Sequence, residues 1–148
     1  MTIPTFGQKI ENQAYQVRFG VYAIICKEEE GRILLVQAPN GAWFLPGGEI
    51  EKAEDQEAAL QRELAEECGL AYEEISYLGQ ADEYFYSSHR ETYYHNPAYI
   101  YQVHSYTSIG APLEDFNRLA WFPIEEALDK LKRGSHQWGL KEWKDKNI

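Results

Sequence analysis

Apolar positions fall into short runs separated by turn residues, and one longer stretch carries the spacing of a helix. Tyr15 to Cys26 is rich in Val, Tyr, Phe and Ile and ends at Lys27-Glu-Glu-Glu-Gly31, the signature of a strand stopped by a polar turn. Arg32 to Gln37 is its expected hairpin partner. Ala38-Pro39-Asn40-Gly41 reads as a turn, and Trp43-Phe44-Leu45 leads into a Pro-Gly-Gly loop. Further on, Ile75 to Tyr86 and Pro97 to Thr107 read as long strands joined by a polar connection around Ser87 to Asn96. Leu119 to Phe122 predicts a short strand, Pro123 to Lys132 a helix opened by proline, and Ser135 to Lys144 a last short helix. Strands interleaved with helices predict an α/β fold with a mixed sheet between helices.

The segment between the glycine loop and Gly69 has helical spacing. Glu54 or Asp55 can accept from the first free amides, and Gly69 offers a left-handed stop after Cys68, which gives a helix of about four turns. At about 100° per residue, Leu60 and Leu64 form a stripe that can anchor to a sheet, and the small Ala59 lies beside Glu63 and Glu67. Glu63, Glu66 and Glu67 stand at i, i+3 and i+4, so three carboxylates share one face. Like charges this close repel, and a compensating cation is the economical explanation. Oxygen donors suit a hard divalent ion, Mg²⁺ or Mn²⁺, which keeps waters and shares phosphate oxygens with a substrate. Before the helix, Gly47 and Gly48 lack a Cβ, so their backbone can approach a metal or phosphate closely.

Composition narrows the class of ligand. With 24 acidic against 14 basic residues the net charge is -10, which argues against a nucleic-acid polymer held by its phosphates. A small anionic ligand remains compatible, because a bound cation reverses the local field. Cys26 and Cys68 make no disulfide framework, and no export signal or membrane-spanning run is read from the chain, so a reducing cytoplasm is the expected location. The length fits one domain over residues 1–148, as a monomer or homodimer.

Gly48, five residues, Glu54, seven residues, Arg62-Glu63-Leu64, one residue, Glu66-Glu67, one residue, Gly69-Leu70 is a set of fixed offsets that resembles the signature box of the Nudix hydrolases, the MutT-like pyrophosphohydrolases. The resemblance implies the Nudix α/β/α sandwich and metal-dependent hydrolysis of a nucleoside diphosphate linked to another moiety. It implies that Glu66 and Glu67 are metal ligands, that Glu63 is a ligand or the base that deprotonates water, and that Arg62 orients the glutamates. Gly47 would give a backbone carbonyl to the metal, Gly48 would lie against the substrate, and Glu54 would be a supporting residue. The nucleotide could be a nucleoside triphosphate, an oxidised nucleotide or a dinucleoside polyphosphate. The alternative is a catalytically silent module of the same fold that senses nucleotides or binds proteins.

Residues beyond the box carry the substrate signal. Tyr86 lies at about the distance where dinucleoside polyphosphate hydrolases have a Tyr; it fits either a base-stacking residue or a sheet residue packing its neighbours. Tyr84, Tyr93, Tyr94 and His95 are aromatic candidates for the same stacking, and Arg90 is a candidate phosphate contact. Gln37-Ala38 stands where many relatives have a basic pair. Glu114 and Asp115 fall in a loop that in some members lends another acid. His89, His95, His104 and His136 have no metal-ligand spacing and are expected at the surface or in the sheet.

Overall fold

The computed structural model describes residues 2–147. Its central strand is β3 (Gly20–Lys27), apolar at every position from Val21 to Ile25, the pattern of a strand covered on both faces. Val21, Ala23, Ile24 and Ile25 have no exposed surface. β3 runs parallel to β8 (Thr92–Ser108) from Gly20↔Ala98 to Ile25↔Val103, and antiparallel to β6 (Gly47–Glu49) across Gly20↔Glu49 to Tyr22↔Gly47. It meets β4 (Arg32–Gln37) only at the hairpin end, Cys26↔Ile33 and Lys27↔Arg32.

Beyond β8 lie β7 (Leu70–Ser87), antiparallel, and the short parallel edge strand β1 (Thr5–Phe6). β2 (Gln16–Val17) adds in parallel to β8. On the other side β4 carries β5 (Trp43–Phe44) and β9 (Arg118–Pro123), both antiparallel. The sheet is mixed, as expected from the sequence.

The period-two alternation of β3 sorts its side chains to two cores. Val21, Ala23 and Ile25 pack with Ala59, Leu60, Leu64 and Cys68 of α1 (Gln56–Cys68). Tyr22 and Ile24 pack with Ala127 of α2 (Ile124–Lys130) and with Leu140 and Trp143 of α3 (Gly134–Asn147). One helix therefore covers one face and two cover the other, which is the α/β/α layering that the box implies. Leu60 and Leu64 are fully buried, and side chains of that size stabilise by about 1.5–3 kcal/mol each.

Several element boundaries differ from the sequence reading. Tyr15 to Cys26 is two strands, because Arg18 and Phe19 interrupt the ladder between β2 and β3. β7 and β8 extend much closer to each other than the polar composition suggested, and only Ser88 to Glu91 turns between them. Cross-strand pairs of rings, Tyr84 on His95, Phe85 with Tyr94 and Tyr86 with Tyr93, carry the ladder through residues whose polar atoms hide their strand character. Pro123 is the residue before the first turn of α2, and α3 runs past Lys144 to Asn147.

Candidate active site

The first two residues of β6 are wedged between β3 and α1 with no room for side chains. Gly47 has φ +143°, and a Cβ there would fall 2.1 Å from the Val21 carbonyl oxygen. A Cβ on Gly48 would sit 2.6 Å from the carboxyl carbon of Glu63. The two glycines let β6 lie directly on β3 and against the carboxylate of Glu63. That helix begins where Asp55 Oδ1 accepts from the Ala58 amide at 2.8 Å. It stops at Gly69, in the left-handed region at φ 67°, whose amide donates to the Ala65 carbonyl at 3.2 Å.

Arg62 organises the acidic cluster. Its Nε and Nη2 donate to both oxygens of Glu54, at 2.7 and 2.9 Å, in a two-pronged fork. Nη2 also donates to the Glu49 carbonyl at 2.9 Å, while Nη1 reaches Glu63 Oε1 at 3.0 Å and Glu66 Oε2 at 3.2 Å. The fork to Arg62 holds the Glu54 carboxyl down to about 2. Glu54 thus braces Arg62 through both of its carboxylate oxygens.

Glu67 receives no such cation. Its Oε1 accepts from the Gly47 amide at 2.9 Å, but burial, with the nearby charges of Glu63, Glu114 and Glu66, pushes its pKa up to about 8. Burial pushes Glu63 up to about 7 against the opposing pull of Arg62. Glu114 is raised by burial and by Glu66, and its backbone amide donates to the Glu66 carbonyl at 2.9 Å, so the loop before β9 is tied to the helix.

Raised carboxylates beside a cradle with no Cβ are the setting into which a divalent cation fits, because the cation supplies the charge that Arg62 does not bring to Glu67. Among the described residues, no group of three or more His, Cys, Asp or Glu side chains is gathered tightly enough to hold an ion by itself. The donor set is open, which suits an ion that keeps waters and takes phosphate oxygens to complete its shell. Glu63, Glu66, Glu67 and the backbone at Gly47 are the groups that could hold it.

A cavity of about 270 Å³ is lined by Gly47, Gly48 and Glu67 together with Tyr22, Leu45 and Phe44. Arg90, the candidate phosphate contact, is among the residues that line it. Tyr86 is not: it is half exposed, on the face of the β7–β8 ladder that also carries Tyr84, Tyr93 and His95, and it borders a second cavity instead. The neighbouring pair Phe85 and Tyr94 faces the first cavity, one residue away from the position chosen by counting along the chain. Counting could not decide the face, since aromatic residues occupy both.

Sequence reading missed Arg18, Arg133 and His136, which line the same cavity. His136 is fully buried rather than at the surface. Its Nδ1 accepts from the Leu45 amide at 3.1 Å, and its Nε2 has no partner among the described residues. A buried donor left unpaired costs about 1–3 kcal/mol. Burial and Arg133 hold its pKa well below the usual histidine value, so the ring is neutral. Arg133 lies 3.7 Å from the centroid of Phe85 and 5.1 Å from that of Phe44.

Residues 16–143 match the NUDIX domain family model. The crystal structure of a MutT NUDIX hydrolase from Burkholderia pseudomallei is 32% identical, with a TM-score of 0.61, over 86% of this chain and 98% of that one. The MutT protein of Methanosarcina mazei Go1 shares the fold at 22% identity, with a TM-score of 0.70 over 92% of this chain and 99% of that one. An RNA pyrophosphohydrolase of Ruthia magnifica subsp. Calyptogena magnifica is 32% identical over 75 residues, 51% of this chain and 41% of that protein. The chain spans less than two thirds of the length of the curated relatives it matches. No helix among the described residues is long and apolar enough to cross a membrane.

Proposed function

The chain belongs to the Nudix family, and from that premise we propose that it is a Mg²⁺-dependent pyrophosphohydrolase, acting as one catalytic unit on a small nucleotide in which a nucleoside diphosphate is linked to another group. The observation that carries this reading is the placing of Glu63 and Glu67 against the Gly47–Gly48 cradle, with Arg62 joining Glu63 to Glu66 and leaving Glu67 without a cation. Pyrophosphohydrolase activity is named for several relatives, among them the CTP pyrophosphohydrolase of Escherichia coli, 47% identical over 55 residues.

A diphosphate resists water because its anionic oxygens repel a nucleophile, so catalysis requires that charge to be neutralised and a water to be deprotonated in line. A bound Mg²⁺ or Mn²⁺ supplies the first and eases the second by lowering the pKa of water. In this chain Glu66 and Glu67 are the carboxylates that would hold the ion. Gly47 fixes one oxygen of Glu67 through its amide, which leaves the other free. Glu63 takes the proton of the attacking water, a task suited to a carboxyl whose pKa lies near neutrality. Arg62, braced by Glu54, holds Glu63 and Glu66 in place. Gly48 keeps the space over Glu63 open to the phosphoryl group.

The experiment is a screen of phosphate release, with and without Mg²⁺, across nucleoside triphosphates, oxidised purine triphosphates, dinucleoside polyphosphates, ADP-ribose and nucleotide sugars. Metal-dependent turnover of at least one class is expected, and Glu66→Gln and Glu67→Gln should each lower it by about two to four orders of magnitude with folding intact. Near-normal activity of both variants would remove the carboxylates from the mechanism.

A further inference from the structure

Between β5 and β6 the chain changes partners. β5 pairs with β4 and β6 with β3, so Leu45 and Pro46 carry it across between two ladders. Backbone polar groups buried in such a crossing need partners of their own, and Pro46 brings no N–H. The Pro46 carbonyl accepts from the Ala23 amide of β3 at 2.9 Å. The amide of Leu45, a buried residue, donates to Nδ1 of His136 at 3.1 Å, a bond that reaches over from α3. Directly after the crossing, the Gly47 amide donates to Oε1 of Glu67 on α1 at 2.9 Å.

His136 does more than fill space. Its ring has no exposed surface and packs on Tyr22, with centroids 4.3 Å apart, and against Phe44, at 6.1 Å. An apolar side chain would pack there without the cost of burying an imidazole, whose Nε2 has no partner among the described residues. Burial and Arg133 keep the ring neutral, and only a neutral ring can accept at Nδ1. The base of α3 is itself fastened to the sheet. The Lys132 amide donates to the Trp43 carbonyl at 3.0 Å, and the Ser135 amide to Glu83 Oε1 at 2.9 Å. The acceptor is therefore a fixed point to which the crossing is tied.

Resting on the hydrolase reading above, we infer that His136 is a positioning residue: from α3 it fixes Leu45, which places Gly47, and Gly47 in turn orients the carboxylate of Glu67. It acts through two backbone amides and not on the substrate. The helix on one face of the sheet thereby sets the geometry of a carboxylate on the other.

Two variants separate this role from packing. His136→Leu removes the acceptor and keeps an apolar side chain, whereas His136→Asn keeps an acceptor, its Oδ1 standing where Nδ1 stands. In metal-free protein, hydrogen exchange is followed at the Leu45 and Gly47 amides, with Ile25 in the core of β3 as the reference for global stability. In His136→Leu both amides should exchange about tenfold faster relative to Ile25, the worth of one buried hydrogen bond. Titration with Mn²⁺, read by electron paramagnetic resonance, should show binding weakened by about tenfold or more in that variant, the usual loss when the support of a metal ligand is removed. His136→Asn should stay within about threefold of wild type in both readouts. A folded His136→Leu with unchanged exchange at Gly47 and unchanged Mn²⁺ affinity would overturn the inference, as would a folded His136→Asn that loses both. Should His136→Leu not fold, the Asn variant and the ¹⁵N signals of the wild-type ring still decide, since a protonated Nδ1 is incompatible with the role. No turnover is measured, so a protein that hydrolyses no nucleotide would sink the hydrolase reading and leave this result standing.

Discussion

Glu67 is the side chain at which the charge of the site is least compensated. Its neighbours Glu63 and Glu66 each meet Arg62, whereas Glu67 has one backbone amide. A carboxyl whose folded pKa is about 8 against an ordinary 4.5 binds more protons in the folded chain than in the unfolded one across that interval. The associated stability is therefore complete below about pH 4.5 and lost as the pH rises through about 8. Metal-free wild-type protein should lose up to a few kcal/mol over this window, and Glu67→Gln should lose less, so that at its upper end the inactive variant is the more stable one. Thermal melts in chelator at the two ends of the window check this. Adding divalent ion should raise the melting temperature of wild type most at the alkaline end, where protons no longer compete for the carboxylate. The glutamates themselves were legible in the sequence because i, i+3, i+4 spacing follows from helix geometry alone. His136 was not, since its burial depends on Leu45, 91 positions earlier in the chain.

At the scale of elements, α1 is the piece whose ends, buried face and chemical face can all be read from local sequence. Asp55 caps it, Gly69 stops it, and Leu60 and Leu64 bury against β3 and its neighbours. Leu64→Ala should cost about 2–5 kcal/mol in a denaturant titration, because the site is fully buried on the side of α1 that fixes the sheet. Asp55→Ala should cost about 1 kcal/mol, the worth of one helix cap. Gly69 tolerates no side chain for a second reason besides its dihedral: a Cβ would lie 2.2 Å from the Gly110 carbonyl oxygen. The strands were less legible. The polar tip of the β7–β8 ladder is held by ring-on-ring pairs across the strands, and pairing between strands is not visible along one of them.

Across the whole molecule, the two sides of the cavity have opposite origins in the chain. The acidic side comes from one helix and the loop before it, a contiguous stretch with a recognisable spacing. The basic side is assembled from Arg18 before β3, Arg90 in the β7–β8 turn and Arg133 between α2 and α3. No periodicity links these three, so only the fold reveals them. This division explains why the class of reaction was readable from sequence while the arginines lining the cavity were not.

The measurement that bears most directly on the account is hydrolysis in ¹⁸O-labelled water, followed by ³¹P NMR, with the best substrate of the screen, with Mg²⁺ or chelator, for wild type and Glu67→Gln. The account predicts label in a product phosphoryl group, formed by wild type with metal and reduced by orders of magnitude by chelation or by the substitution. Label found only off phosphorus, or equal rates in chelator or in the variant, would contradict metal-assisted attack of water at phosphorus by this carboxylate cluster.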